Sequence, residues 1–477
     1  MALPLHVDPT AEEPLHRQVY ESIRGAILDG ELRPGDRLPP TRVLAERLSV
    51  ARATVTQAYD QLHAEGYLNG QQGSGTYVAP LPTDHDPSPP GTPIQLSAWG
   101  RRLAAEPRVS LRPSDLDVRF DLRPHRVALD SFPWDAWRAA VDAALTTDPA
   151  ALASPPAAGL LPLREAIAAH VRRYRSVRCS PDQVIVVSGS QQGLNLLLQL
   201  LADPADAAVM EDPGYPTARL ALEAHGVTVC RVPVDESGLQ VDRLPACPIP
   251  RLILVTPSHQ EPTGAALSLP RRLALLDYAA RVGTVVIEDD YDSEFRFEGS
   301  PIESLQGLDR HERVVYAGTF SKSLLPGLRI GFLIVPSNLA QPVVAAKSVW
   351  DSGSPSLEQA ALTQFLASGE YERHIRRMRR IYRSRRDATI AAFQKHFGPT
   401  VQIGQRPGGL NLLVQFDVGL SETEIDARAS ATGVALRSAS AYYAAPPPLP
   451  TYLIGFGATD ESTIDEAILG LARSIDA

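Results

Sequence analysis

The chain of 477 residues contains three lysines, and Lys322 sits in Gly318-Thr319-Phe320-Ser321-Lys322-Ser323, seven positions before Arg329. A primary amine between small hydroxyl side chains, with a guanidinium close behind, suits an aldehyde that carries a phosphate. The amine condenses to a Schiff base while the hydroxyls and the arginine hold phosphate oxygens. Pyridoxal 5′-phosphate (PLP) answers that description. Alone, Lys322 would read as a surface lysine, so the weight falls on the segments that accompany it.

Ser188-Gly189-Ser190-Gln191-Gln192-Gly193 follows an apolar β-branched run and opens a helical one, so backbone N–H groups and Ser190 can cradle a phosphate at the positive end of that helix. Glu288-Asp289-Asp290-Tyr291-Asp292 follows Val285-Val286-Ile287. A carboxylate beneath a pyridine nitrogen keeps it protonated and makes the ring an electron sink, and a tyrosine hydroxyl can hold the ring's O3′. An oxygen-ligated metal is the competing reading of these acids, but no histidine pair accompanies them and the loop glycines usual in such clusters are missing. Tyr215, in Asp212-Pro213-Gly214-Tyr215-Pro216, either lines the ring or belongs to a structural turn.

These residues need a scaffold. Short β-branched runs at 184–187, 208–210, 252–255, 285–287, 314–316 and 330–335 alternate with helical stretches, the pattern of a largely parallel sheet covered on both faces. Ligands of such sheets gather where strand ends meet loops, and the motifs fall there. An arginine-rich helix around 370–386 precedes a smaller α+β pattern (411–416, 421–431, 452–456, 462–474). Residues 81–93 hold five prolines in thirteen positions and read as an extended linker. The expected organisation is a DNA-binding domain at 12–79, a Pro-rich linker at 80–117, and a large plus a small subdomain over 118–477.

Before the linker, Leu15, Val19, Ile23 and Ile27 form one helical stripe, and Pro34-Gly35 makes a turn. Thr41 is expected to cap a second helix that turns Leu44, Ala45 and Leu48 inward. After Ser49-Val50 a third helix buries Val55, Ala58, Tyr59 and Leu62, leaving Arg52, Thr54 and Thr56 near its exposed start. There a recognition helix offers side chains and backbone amides to a major groove. Tyr67-Leu68 and Thr76-Tyr77-Val78 can pair around a glycine-containing tip as a wing. A small helical domain for protein contacts is the bland alternative.

From Pro14-Leu15 through Pro34-Gly35-Asp36-Arg37-Leu38-Pro39 to Gly66-Tyr67-Leu68 and Gly73-Ser74-Gly75-Thr76, this part resembles the winged helix-turn-helix of GntR-type regulators. The resemblance implies DNA contacts from Arg42, Arg52, Thr54, Thr56, Gln72 and Gly73. From about Phe120 onward, Thr256-Pro257-Ser258-His259-Gln260, the string from Glu288 to Arg296 and Gly318 to Leu324 resemble fold-type I PLP enzymes of the aspartate aminotransferase family. Joined, the two halves are similar to the MocR subfamily of GntR regulators. That likeness implies Lys322 as the Schiff-base lysine, Asp289 on the pyridine nitrogen and Tyr291 on O3′. It also implies Ser190, Gln191, Thr319, Ser321 and Arg329 around the phosphate, Tyr215 beside the cofactor, and Arg437 as anchor for an effector carboxylate.

Two positions depart from the pattern. Where aminotransferases commonly have Asn-Pro-Thr-Gly the chain has Glu261-Pro262-Thr263-Gly264, and Thr217 stands where some members carry a carboxylate-binding arginine. A carboxylate repels a phenolate oxygen unless it points away, which makes efficient transamination less expected.

Net charge is −9, and the first 80 residues carry seven Arg, no Lys and ten acids, so DNA affinity has to come from locally placed arginines. Cys179, Cys230 and Cys247 make no metal-ligand spacing and no disulfide framework, and no window is long and apolar enough to span a membrane. A reducing, cytoplasmic setting is expected. The expected function is PLP-dependent transcription regulation on a double-stranded operator, sensing an amine, an amino acid or PLP itself through Lys322, and the resemblance to MocR-type regulators implies a head-to-tail homodimer. The alternative is an active PLP-dependent aminotransferase with an accessory DNA-binding module. No metal and no membrane partner are expected.

Overall fold

In a computed structural model the described residues are 7–71, 75–80, 94–105, 118–146, 149–300, 302–404 and 408–476, and the chain divides into two compact units, Met1–Gln95 and Leu96–Ala477. In the first unit, α1 (Leu15–Leu28), α2 (Thr41–Leu48) and α3 (Arg52–Ala64) meet in one apolar cluster. Val19, Ile23, Leu44, Val55, Ala58 and Leu62 fill it, as the helical periodicity predicts. Thr41 is not the cap: Pro40 holds that position without a side-chain bond, and Thr41 opens the helix. The Thr41 hydroxyl instead accepts from Arg52 Nε at 3.3 Å. Ser49, at φ 56°, makes the left-handed turn into α3. Strands β1 (Leu68–Gln71) and β2 (Gly75–Val78) pair antiparallel from Leu68↔Val78 to Gln71↔Gly75, forming the wing. Gln72 and Gly73 lie outside the described residues, as does the linker stretch 81–93.

The second unit begins earlier than the composition change at 118 suggests. Helix Ala98–Ala104 falls within the stretch read as linker, and Arg102 on it donates to the Ala224 carbonyl at 2.7 Å. After β3 (Phe120–Asp121) come the strands of the large sheet: β4 (Val184–Val187), β5 (Ala207–Asp212), β6 (Thr228–Asp235), β7 (Gly238–Leu239), β8 (Leu252–Val255), β9 (Val285–Asp290), β10 (Val314–Thr319) and β11 (Gly331–Ile334). Their order is β4-β11-β10-β9-β8-β5-β6-β7. Pairings from β10 through β9, β8 and β5 to β6 are parallel. β11 runs antiparallel to both neighbours because residues 320–330 fold back on themselves without a crossover helix. Both faces are buried: Ile185, Val187, Ile287 and Ala317 pack in one cluster, while Val184, Val186 and Tyr316 pack in another.

A smaller antiparallel sheet of β12 (Val401–Gly404), β13 (Asn411–Phe416) and β15 (Thr451–Gly455) follows helix Glu370–Phe397, and β14 (Val434–Ala435) pairs with β3. No helix among the described residues is long and apolar enough to cross a membrane.

The two-residue period of β9 divides its acids between faces. Glu288 and Asp290 point one way. Glu288 accepts the Leu305 and Gln306 N–H groups at 2.8 Å, and Asp290 accepts Arg175 Nε at 2.7 Å and the Tyr316 hydroxyl at 2.5 Å. Arg175 also donates to Ser258 Oγ at 2.6 Å. Both side chains of the Arg175–Asp290 pair are nearly sealed from solvent, at 8% and 2% exposure. Removing one partner leaves a buried charge uncompensated. Arg175→Met is therefore expected to cost about 3–5 kcal/mol of unfolding free energy, measured by urea denaturation.

Candidate functional site

Asp289, on the opposite face of β9 from Glu288 and Asp290, lines a pocket of about 610 Å³ at the strand ends. Ser190, Gln191, Tyr215, Tyr291, Thr319, Ser321, Lys322 and Arg329 share that lining, together with His125, Gly189 and Glu261. Every residue that the motifs assign to a cofactor thus converges. They do so because five different strands, β4, β5, β9, β10 and β11, deliver their ends to one edge of the sheet.

The phosphate end is built first from backbone. Helix Ser190–Leu201 starts after Gly189, at φ 90° and with no side-chain cap, and Gly189, Ser190 and Gln191 all line the pocket. The torsion is what favours glycine here, while an added Cβ would stand 3.2 Å from Arg329 Nη2 and press on the guanidinium. Arg329 is held by the Ser188 carbonyl at 2.9 Å, and Thr319 Oγ1 accepts the Ser321 N–H at 3.1 Å. Helix dipole, hydroxyls and guanidinium at one end of a pocket are groups that suit an anion.

Two polar atoms of the lining have no partner among the described residues. Asp289 Oδ1 and Gln191 Oε1 are buried and accept no hydrogen bond. Burial, with the nearby Glu261 and Asp290 charges adding, pushes the Asp289 carboxyl up to about 7 from its ordinary 3.8. A cationic donor such as a pyridinium N–H is the group that would restore its charge. Lys322 Nζ makes no hydrogen bond or ion pair with the described residues. Burial lowers its pKa from the ordinary value, against the raising effect of the Glu261, Asp292 and Asp289 charges. These residues fit a phosphorylated pyridine aldehyde.

Tyr291 is oriented from behind. Its hydroxyl meets His259 Nδ1 at 3.0 Å, and the same nitrogen lies 3.0 Å from Asp292 Oδ2. Burial opposes a charge on His259, yet the Asp292 carboxylate raises its pKa above the ordinary value. Gly409, at φ 88°, backs the imidazole so closely that a Cβ would overlap the ring. Asp292 is thus spent on His259, and the four acids do not converge on a metal site among the described residues.

Sequence reasoning missed two side chains. His125, at φ 65° after the short β3, and Tyr442, in the turn Ser440–Tyr442, both bind Glu261 Oε1, at 2.8 and 3.0 Å. No motif marks either, since each comes from the chain beyond the large sheet. Burial works against ionisation of Glu261, but His125, Lys322 and Tyr442 hold its pKa below the usual carboxylate value. The carboxylate flagged as unfriendly to a phenolate is turned toward these two partners.

Arg437 is not brought into the pocket. It is exposed, and its carbonyl accepts the Leu453 N–H at 3.0 Å while Ser438 bridges Tyr452, which ties the segment alongside β15. Tyr442, five positions on, is the residue from this segment that reaches a lining side chain, Glu261. In the first unit, Arg42 and Arg52 are exposed at the helix starts, and Thr54 and Thr56 are half-buried on α3. No side chain caps α3; the Thr54 N–H turns back to the Ala51 carbonyl at 3.0 Å, and the Arg52 and Ala53 N–H groups ahead of it have no capping side chain.

Known proteins share both units. Residues 129–467 match the family "Aminotransferase class I and II", and residues 15–78 match "Bacterial regulatory proteins, gntR family". The probable rhizopine catabolism regulatory protein MocR of Rhizobium meliloti is 38% identical over 473 residues, covering 98% of this chain and 95% of that protein. The pyridoxine biosynthesis transcriptional regulator PdxR of Corynebacterium glutamicum is 35% identical over 466 residues, 97% and 96% of the two chains. Among solved structures, the α-aminoadipate aminotransferase LysN of Thermus thermophilus, complexed with N-(5′-phosphopyridoxyl)-L-leucine, matches with a TM-score of 0.69 at 28% identity, over 80% of this chain and 95% of that one.

The Asp289 shift sets a pH dependence. In the cofactor-free fold its pKa is raised, so its contribution to stability is complete below 3.8 and lost as pH rises through about 7. Asp289→Asn is expected to gain stability over the wild type progressively across that window, read as the urea midpoint against pH.

Proposed function

The chain belongs to the MocR kind of GntR-type transcriptional regulators, with an aminotransferase class I and II domain, and from that premise we propose how it senses. PLP is the cofactor, and Lys322 is the residue that would hold it covalently. When bound, PLP supplies an electrophilic carbon that a primary amine can exchange onto and a ring that withdraws electrons. The observation that carries this reading is the unpartnered Lys322 amine sharing one pocket with the orphaned Asp289 carboxylate. The chain's own residues do the rest. Ser190, Gln191, Thr319, Ser321 and Arg329 grip the phosphate, Asp289 holds the ring nitrogen's proton, and Tyr291, steadied by His259, donates to O3′. Tyr215 flanks the ring.

Residues 12–79 act as the DNA-binding module and 118–477, with the preceding helix Ala98–Ala104, as the effector domain, on a double-stranded operator in the cytoplasm. An amine or amino acid entering the pocket, or PLP itself, shifts DNA affinity to the extent that it binds two arrangements of the protein differently. A head-to-tail homodimer supplies paired wings for paired half-sites. Arg42, Arg52, Thr54, Thr56, Gln72 and Gly73 form the contact surface. The aminotransferase alternative draws support from the lowered pKa of Lys322, which suits proton transfer. Glu261, where aminotransferases commonly have asparagine, favours the regulator. Conversion of the cofactor to its amine form by an amino acid, followed spectroscopically, separates the two.

Lys322→Ala is expected to stay folded and lose both the visible absorption of the lysine-linked cofactor and the borohydride-stable adduct on the peptide containing residue 322. An unchanged spectrum refutes the assignment. Arg52→Ala is expected to weaken operator binding by about 1–3 kcal/mol at fixed salt if it reads a base, measured by gel-shift titration.

A further inference from the structure

The two oxygens of Glu261 are used differently. Oε1 takes both His125 Nε2 and the Tyr442 hydroxyl, at 2.8 and 3.0 Å. Oε2 accepts no hydrogen bond from the described residues, although the side chain is only 7% exposed and lines the pocket beside Lys322. A carboxylate oxygen can only accept, and one that lines the pocket with no protein donor has a donor as its complement, best a cationic one.

The surrounding charges leave that role to a ligand. His125 and Tyr442 are spent on Oε1. Arg329 is tied to the Ser188 carbonyl at the phosphate end, and Arg126 pairs with Asp121 at 3.1 Å. Lys322 would give up its amine to the cofactor. Tyr215, Tyr291 and Asp289, the other lining groups on this side, offer no cation.

We propose that the ligand exchanging with Lys322 is a compound with two amino groups, one reacting at the cofactor carbon and the other seated as an ammonium on Glu261 Oε2. The inference rests on the covalent PLP reading above. The exchange balances without an oxidant or reductant. The ligand nitrogen would take over the C=N bond as the bond to Nζ breaks, and both protons lost by the incoming –NH2 would end on Nζ, freeing Lys322 as an amine. Glu261 thereby selects by charge, rejecting ligands whose far end is a carboxylate and gaining nothing from an alkyl end.

The test is a titration of the full-length, PLP-loaded protein, followed by its visible spectrum, with 1,4-diaminobutane, n-butylamine and 4-aminobutanoate. The diamine is expected to act at concentrations about tenfold or more below either of the others, the size of one charge-assisted hydrogen bond. Glu261→Gln is expected to remove most of that preference. Equal responses to the diamine and butylamine, or a stronger one to 4-aminobutanoate, overturn the proposal, as does a Gln variant that keeps the full preference. The wild-type ranking decides the matter even if the variant fails to fold. A loaded protein that has no visible band at all overturns the cofactor reading and this inference together, whereas a normal band without diamine preference overturns this inference alone.

Discussion

The alternation of side chains along β9 is the constraint from which the site follows. Because successive residues face opposite ways, a run of acids that would be intolerable on one surface is split. Glu288 and Asp290 are absorbed into the fold by backbone N–H groups, Arg175 and Tyr316. Asp289 alone is left on the pocket side, buried and unpaired. The Arg175–Asp290 pair neutralises one of the charges behind Asp289, yet Asp290 still helps to raise its pKa. A slip of one residue would exchange the roles, with the structural carboxylates in the pocket and the functional one in the core.

Much of this was legible in sequence because strand-end motifs are local. A glycine before a helix, an acid and a tyrosine two apart, and a lysine among hydroxyls each declare their chemistry within a few residues, and all nine assigned cofactor residues line one pocket. The strands that carry them are apolar runs whose burial on both faces is easy to recognise. β6 is hidden in the sequence because Pro233 and Arg231 interrupt its apolar pattern, as suits a strand whose outer neighbour, β7, is only two residues long. β11 was legible as a strand but not in its direction, which depends on how residues 320–330 fold back.

What escaped were residues whose meaning is tertiary. His125 and Tyr442 come from opposite ends of the second unit, and only the fold brings both to Glu261. Arg437 illustrates the converse. Its type was right for an anion anchor, but the segment's pairing with β15 leaves it exposed and sends the later tyrosine inward. Thr41 likewise had a capping side chain, yet the preceding proline took the position and the hydroxyl turned to Arg52.

The turn around Tyr442 is stitched to the large sheet's rim at several points. The Tyr442 carbonyl accepts the Gly214 N–H at 2.9 Å, the Ala444 N–H reaches Asp212 Oδ1 at 2.8 Å, and the Tyr442 hydroxyl grips Glu261. Four residues further back along the chain, Ser438 bridges Tyr452 of β15. The pocket wall is therefore also a mechanical strap. Glu261 is thereby joined, through one short turn, to the rim of the large sheet and to the smaller sheet at once.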